Sequence, residues 1–201
     1  MREARISAEE RLRTRATILN NVEYRIANRD SKKTKELMKN AVYNKFLGFI
    51  VFYKIVLEKN ETCEIGYYLT RRMMQTGEIS GTTLEYAAHK NTKKNKFCLN
   101  EERNMIILTN EAKRNGANVL LFKKVIAEAA KKLDADIYIL PSSVHEVIAV
   151  SASKFDKRTR ELKELLSFIN DYVVEDTREL LSYDIYKYER EKGYLGIVNI
   201  E

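Results

Sequence analysis

Ser142, Ser143, His145 and Glu146 stand almost side by side in Pro141-Ser142-Ser143-Val144-His145-Glu146-Val147, and they are residue types that supply a nucleophile, a base and an acid. Joint use is opposed by strand geometry. On an extended segment His145 and Glu146 point to opposite faces, and His145 then shares its face with the apolar Val147 and Ala149. That pattern reads as a half-buried structural histidine whose ring nitrogen bonds a nearby carbonyl or carboxylate. Ser142 and Ser143 read as turn residues that satisfy backbone groups. A serine nucleophile also needs an orienting acid and an oxyanion hole, and the sequence displays neither.

Other chemistry finds less material. Two His and two Cys are spread along the chain without the spacing of a zinc or iron site, so no metal and no cofactor are expected. Cys63 and Cys98 read as buried, reduced thiols. Asn115-Gly116 and Gly193-x-x-Gly196 are turn signals, and neither forms a phosphate-cradling glycine loop. The pairs Asp134/Asp136 and Glu101/Glu102 read as solvated loop carboxylates.

Charge is distributed unevenly. Residues 1–100 carry 20 Lys+Arg against 11 Asp+Glu, and residues 101–201 carry 16 against 18, so the net +7 originates in the first half. A basic first half is one footprint of phosphate contact. The candidate nucleic-acid residues are Arg11, Arg13, Arg15 and Arg25, with Lys93, Lys94 and Lys96 in the Lys90–Lys96 run. Twelve Tyr form the other surplus; Tyr183, Tyr186, Tyr188 and Tyr194 gather near the C-terminus as a candidate partner surface.

The elements that must position these residues follow from periodicity. Ser7 and Glu10 form a capping box before a basic amphipathic helix carrying Leu12, Ala16 and Leu19. Val22 to Ala27 alternates as a strand with one wet face. Thr34 to Met38 predicts a short helix, Phe46 to Leu57 and Cys63 to Leu69 an antiparallel strand pair, and Thr83 to His89 a helix. Lys90 to Lys96 opens the one stretch, 90–104, that reads as an internal linker. Beyond it lie a strand at Met105–Leu108 and a helix at Val119–Leu133. Two strands, Ile137–Leu140 and Val144–Val150, flank the Pro141 turn. A helix capped by Asp156 carries Leu162, Leu165, Leu166 and Ile169, and a final hairpin turns through Glu191-Lys192-Gly193.

Paired strands with helices between the pairs predict an α+β fold, a largely antiparallel sheet with helices packed against it. The domain reading is a basic amphipathic N-terminal helix over 1–21 followed by one α+β domain over 22–201. Seven Gly and one Pro in 201 residues predict long elements with short connections. The longest apolar run, Phe46 to Tyr53, is too short to span a membrane, and the charged N-terminus lacks the apolar stretch of a leader, so a cytoplasmic location is expected.

Several strings taken together resemble a known family. They are Leu108-Thr109-Asn110, Asn115-Gly116-Ala117, Tyr138-Ile139-Leu140-Pro141-Ser142-Ser143-Val144-His145-Glu146-Val147 and Tyr186-x-Tyr188. Upstream, Val22 to Asn28 and Phe49 to Tyr53 share the likeness. From Val22 onward the chain resembles the domain-of-unknown-function family numbered five-six-eight-eight, of Gram-positive anaerobic bacteria. The resemblance implies bacterial origin and brings no activity, ligand or catalytic residue. It also implies a short form, because family members carry a further N-terminal portion. Thr76-Gly77-Glu78 stands where a Trp-Gly pair belongs, and Lys123-Lys124 where a Pro-Gly belongs.

The sequence therefore predicts that groups able to do chemistry are scattered rather than convergent. The leading expectation is a non-catalytic protein-interaction or regulatory module that meets a protein partner or a second copy. A nucleic-acid-binding protein using the basic first half comes second, and an enzyme using His145 third.

Overall fold

A computed structural model describes residues 8–60, 63–102, 105–155, 158–172 and 179–198, with backbone alone at 8–13 and 172. Helix α1 (Ala8–Asn21) runs directly into β1 (Val22–Asn28). Helix α2 (Lys32–Leu37) follows, then β2 (Tyr43–Phe46), the long β3 (Phe49–Lys59) and β4 (Glu64–Tyr68). Helices α3 (Arg71–Thr76) and α4 (Gly81–Lys93) lead to β5 (Phe97–Glu102) and β6 (Met105–Asn110). A 3₁₀ segment (Gly116–Leu121) precedes α5 (Lys123–Lys132), β7 (Ile137–Leu140) and β8 (Val147–Ser151). Helix α6 (Thr159–Tyr172) and the hairpin of β9 (Tyr186–Glu189) and β10 (Tyr194–Ile197) complete the chain. The fold is α+β, as the pairing pattern predicts.

The strands form two antiparallel sheets. In the first, β1 and β2 flank β3, and β4 pairs with the far end of β3. The second has the order β10-β9-β7-β8-β6-β5, with every neighbouring pair antiparallel. Strand β7 is buried throughout because both sheet faces are covered. Ile137 and Ile139 pack with Ile126, Ala129 and Ala130 of α5 on one face, and Tyr138 and Leu140 pack with Leu162 and Leu166 of α6 on the other. The first sheet is layered in the same way. Tyr24, Val51 and Tyr53 face α1 and α4, while Ile50 and Phe52 lie with Leu37 of α2. One core joins the sheets: Ile26 and Phe49 belong to the cluster of the second sheet, and Phe49 stacks on Tyr186 at 5.0 Å between ring centroids.

A polar seam completes the join. Strand β1 is an edge, so among the described residues no strand neighbours the backbone groups on its outer side. Side chains take the place of one. The Thr92 hydroxyl accepts the Tyr24 N–H at 2.8 Å. Asn118 Oδ1 accepts the Ile26 N–H at 3.0 Å while its Nδ2 donates to the Tyr24 carbonyl at 2.9 Å. Asn91 Nδ2 donates to the carbonyls of Leu19 and Val22, both at 3.0 Å. All three residues are buried, so each bond satisfies a group that water does not reach.

Several expectations change. Of the stretch 90–104, residues 90–102 are occupied by the end of α4, a turn and β5; Asn91 and Thr92 hold it to β1, which a linker could not do. The helix expected over Val119–Leu133 is two pieces, broken at Phe122, whose ring packs against His89 and Phe97. The expected wet face of β1 is covered, with Arg25 buried on it. Cys63 is exposed rather than buried, because β4 lies at a sheet margin, and Cys98 is partly buried; both are free thiols. Ser7, the Glu10 side chain and Asp156, expected as helix caps, lie outside the described residues, as do the side chains of Arg11 and Arg13.

Leaving a buried N–H unpaired costs about 1–3 kcal/mol. Asn118→Ala and Thr92→Val are therefore each expected to lower the unfolding free energy by about that amount in urea titrations. Exposed Lys93→Ala is expected to change it by less than about 0.5 kcal/mol.

Candidate functional site

Three loops meet where the C-terminal ends of β6 and β7 adjoin the start of β8. The first, 111–117, is shaped from within: buried Asn110 accepts the Arg114 N–H at 3.2 Å and donates to the Arg114 carbonyl at 2.8 Å. Asn115 follows in the left-handed region at φ 54°, which Asn tolerates better than most residues. Next to it, Gly116 lies so close to the second loop that an added Cβ would stand 2.3 Å from the His145 carbonyl oxygen and 2.8 Å from the Thr109 Cα. Only a glycine fits there.

The second loop, 141–146, is pinned by Ser143, whose hydroxyl accepts the N–H groups of His145 and Glu146 at 3.1 and 3.3 Å. This is the turn role expected of it. The His145 carbonyl accepts from Thr109 Oγ1 at 2.8 Å, and the Val144 carbonyl from the Ala117 N–H at 3.2 Å. The third loop brings Glu179 alongside: its carbonyl accepts the Val144 N–H at 2.8 Å, and Leu181 N–H donates to Ser142 at 3.0 Å.

His145 lies in the loop, ahead of β8, rather than in the apolar row of Val147 and Ala149; it is half-buried, with its side chain 30% exposed. Its Nδ1 accepts the Asn115 N–H at 3.2 Å and so carries no proton. The proton of the neutral ring is on Nε2, which lies 3.1 Å from Glu179 Oε1 and donates to it. The sequence predicts a ring nitrogen bonded to a carbonyl or a carboxylate, and the partner is the Glu179 carboxylate. With both nitrogens engaged, the ring offers no free lone pair to a substrate.

Facing these loops is the α2-covered side of the first sheet, where strand alternation places Arg25, Lys54, Glu64 and Tyr68 together. Arg25 is 5% exposed. Its Nε and Nη2 reach the two carboxylate oxygens of Glu64 at 3.3 and 2.5 Å, and Nη1 reaches Glu23 at 3.0 Å. Lys54 Nζ lies 2.8 Å from Glu64. The Glu64 side chain is only 6% exposed, and burial alone would push its carboxyl up. Arg25 and Lys54 outweigh that and hold it below the usual carboxylate range. Burial raises the Tyr68 phenol, with Arg25 partly opposing the effect.

Between the two walls lies a crevice of roughly 350 Å³. Arg25, Lys54, Glu64 and Tyr68 line one side, Arg114, Asn115, His145 and Glu179 the other, and Lys33 with Asn28 completes the rim. The expectation that such groups are scattered is corrected here: strand pairing and loop lacing gather a histidine, two acids and four cations around one cavity. Among the described residues, no cluster of three His, Cys, Asp or Glu side chains is placed to hold a metal ion.

Other candidate residues lie elsewhere. Ser142, in the second loop, is buried and does not line the crevice, and Glu146, partly exposed, is not among the groups around it. As a phosphate contact Arg25 is a correction, being buried in ion pairs. Arg15 donates to the carbonyls of Gly77 and Glu78 at 3.2 and 2.5 Å. Lys93 is exposed, Lys94 bonds Asn91 at 3.1 Å and Lys96 pairs with Glu111 at 3.3 Å. The tyrosine surface divides. Tyr183 and Tyr194 are exposed, whereas Tyr186 and Tyr188 are core residues, because β9 is an interior strand whose alternate side chains point into the core. The sequence reading missed Glu64, Lys54, Asn115 and Glu179. The available signal was the Glu23/Arg25 alternation in β1, which marks a charged face without revealing what covers it.

Residues 94–190 match the model of a family described as Family of unknown function (DUF5688), the family that the sequence resembles. The match takes in the 108–117 and 138–147 strings that build the first two loops; the upstream likeness at 22–28 and 49–53 lies outside it. No curated protein and no solved structure matches the chain. No helix of the described residues is long and apolar enough to cross a membrane.

Gly116→Ala is expected to force the first two loops apart, lowering stability by about 3 kcal/mol and shifting the His145 ring resonances in NMR spectra. Because the Glu64 carboxyl is held below its ordinary value of 4.5, its stabilising contribution is complete above that pH and is lost as the pH falls through the lowered value. Glu64→Gln is expected to be less stable than the parent at pH 7, with the gap in urea midpoints closing on acidification towards pH 3.

Proposed function

We propose that this protein is a non-catalytic interaction module and that the crevice between the two sheets is its recognition site for a small polar ligand. One observation carries the reading: the groups that could do chemistry at the cavity are already committed to structure, while the cavity beside them stays open and charged. Both His145 nitrogens and the Ser143 hydroxyl have partners. A general base needs a free lone pair within reach of a substrate proton, and a nucleophile needs a base beside it. A binding site needs neither. It needs a concave surface with a few fixed polar groups, and about 300 Å³ is the lower end of the usual volume range.

In this reading residues 22–201 act as one domain with α1 docked on it, since Ile18 of α1 packs in the core beside Leu84 of α4. The free thiols of Cys63 and Cys98 and the bacterial family resemblance support a place in the bacterial cytoplasm. The nucleic-acid reading loses Arg25 and has Arg15 tied to the α3 end, so the crevice is the better-supported site.

Screening a metabolite library against isotope-labelled protein by NMR is expected to give hits whose shifts concentrate at Asn28, Tyr68, Asn115 and His145. His145→Ala is expected to weaken those hits without unfolding the chain. Hits spread over the surface, or no hits at all, would remove the recognition site. Turnover of a hit that His145→Ala abolishes would replace the binding reading with an enzymatic one.

A further inference from the structure

Resting on the reading of the crevice as a recognition site, we infer that its ligand is a small organic dianion, and that Glu179 competes with that ligand for His145. The first support is the charge around the cavity. Among the described residues Arg25, Lys33, Lys54 and Arg114 line it with Glu64 and Glu179, and Glu23 pairs with Arg25 behind them, so the cations exceed the acids by one with His145 neutral. Glu64 and Glu23 balance Arg25 and Lys54 in the buried cluster, so the positive excess towards a ligand comes from Lys33 and Arg114 set against Glu179. Low-dielectric walls focus such a field into the opening.

The second support is the position of Glu179. His145 Nε2–H is a donor at the cavity wall, and it is given to a carboxylate of this same chain at 3.1 Å. The two partners differ in how firmly they are held. His145 is fixed through its Nδ1, its carbonyl and its N–H. The Glu179 carboxylate is 44% exposed, and among the described contacts its backbone is anchored by the Val144 N–H. Turning the Glu179 side chain towards solvent exposes the Nε2–H, with Lys33 lining the same cavity, to an incoming anion. The internal carboxylate thus marks where the ligand's own carboxylate or phosphate binds. A charge-assisted bond to that group replaces one of the same kind, so displacement costs little. The cavity volume limits the ligand to about the size of a mononucleotide or smaller.

Calorimetric titration of the full chain with inorganic phosphate, adenosine monophosphate and succinate, with neutral adenosine as control, tests the assignment. At least one dianion is expected to bind saturably, and comparison of succinate with the two phosphates tells carboxylate from phosphate. Adenosine is expected not to bind, and added salt is expected to weaken the dianion. Lys33→Glu is expected to weaken it by about tenfold or more, and Glu179→Ala to strengthen it by about threefold or more, since that change removes a like charge and a competitor. A merely structural Glu179 would give the opposite sign. Adenosine binding as tightly as its monophosphate, Glu179→Ala weakening the dianion, or no dianion binding at all would each overturn the inference. Crevice-centred shifts from neutral compounds alone would do so while leaving the recognition site standing; absence of any crevice-centred shift would remove both.

Discussion

The outer edge of β1 is the constraint from which the rest of the architecture follows. A buried strand edge cannot leave its amides and carbonyls unpaired, and no strand of the described residues lies beside it. Asn91, Thr92 and Asn118 satisfy those groups with side chains from two elements far apart in sequence. Because α4 and the 3₁₀ segment must each reach the same strand, the first sheet and the second are brought into one register. The stacking of Phe49 on Tyr186 then fills the apolar part of the join.

That fixed join creates the cavity. Once β1 is held against the 3₁₀ segment, its far end at Asn28 and the charged face carrying Arg25 stand opposite the loops at 111–117 and 141–146. The two walls differ in how they are made rigid. The sheet wall is held by a buried ion-pair cluster, in which bidentate geometry and a second cation compensate for desolvation. Backbone bonds and one obligatory glycine hold the loop wall, with Gly116 packed against the His145 carbonyl. Rigid walls around a charged opening favour recognition by preorganisation, since little ordering remains for a ligand to impose.

Periodicity revealed the fold class, most helices and the three hairpin-like pairings β3–β4, β7–β8 and β9–β10, because each rests on patterns local to a few residues. The break at Phe122 was hidden, since Leu120, Leu121, Val125 and Ile126 keep a helical spacing across it while packing demands a bend. The Lys90–Lys96 run reads as a linker by composition, yet its function lies in the two uncharged residues, Asn91 and Thr92, which the surrounding lysines mask. His145 was legible as a half-buried residue bonded through a ring nitrogen to a carbonyl or a carboxylate. Its acid was not, since Glu179 lies more than thirty residues away and is placed by the pairing of backbone around Ser142 and Val144. Arg25 misled for a related reason: alternation shows that a charged residue shares a face with others, and only tertiary structure shows whether water reaches that face.

The side-chain fringe along β1 also bears on how the chain behaves at high concentration. An open edge is a template for strand addition by another molecule, and natural proteins guard such edges with charge, bulges or cover. Here the guard is chemical mimicry: amide and hydroxyl groups of Asn91, Thr92 and Asn118 occupy the positions a foreign backbone would seek, so the groups they pair are not open to strand addition.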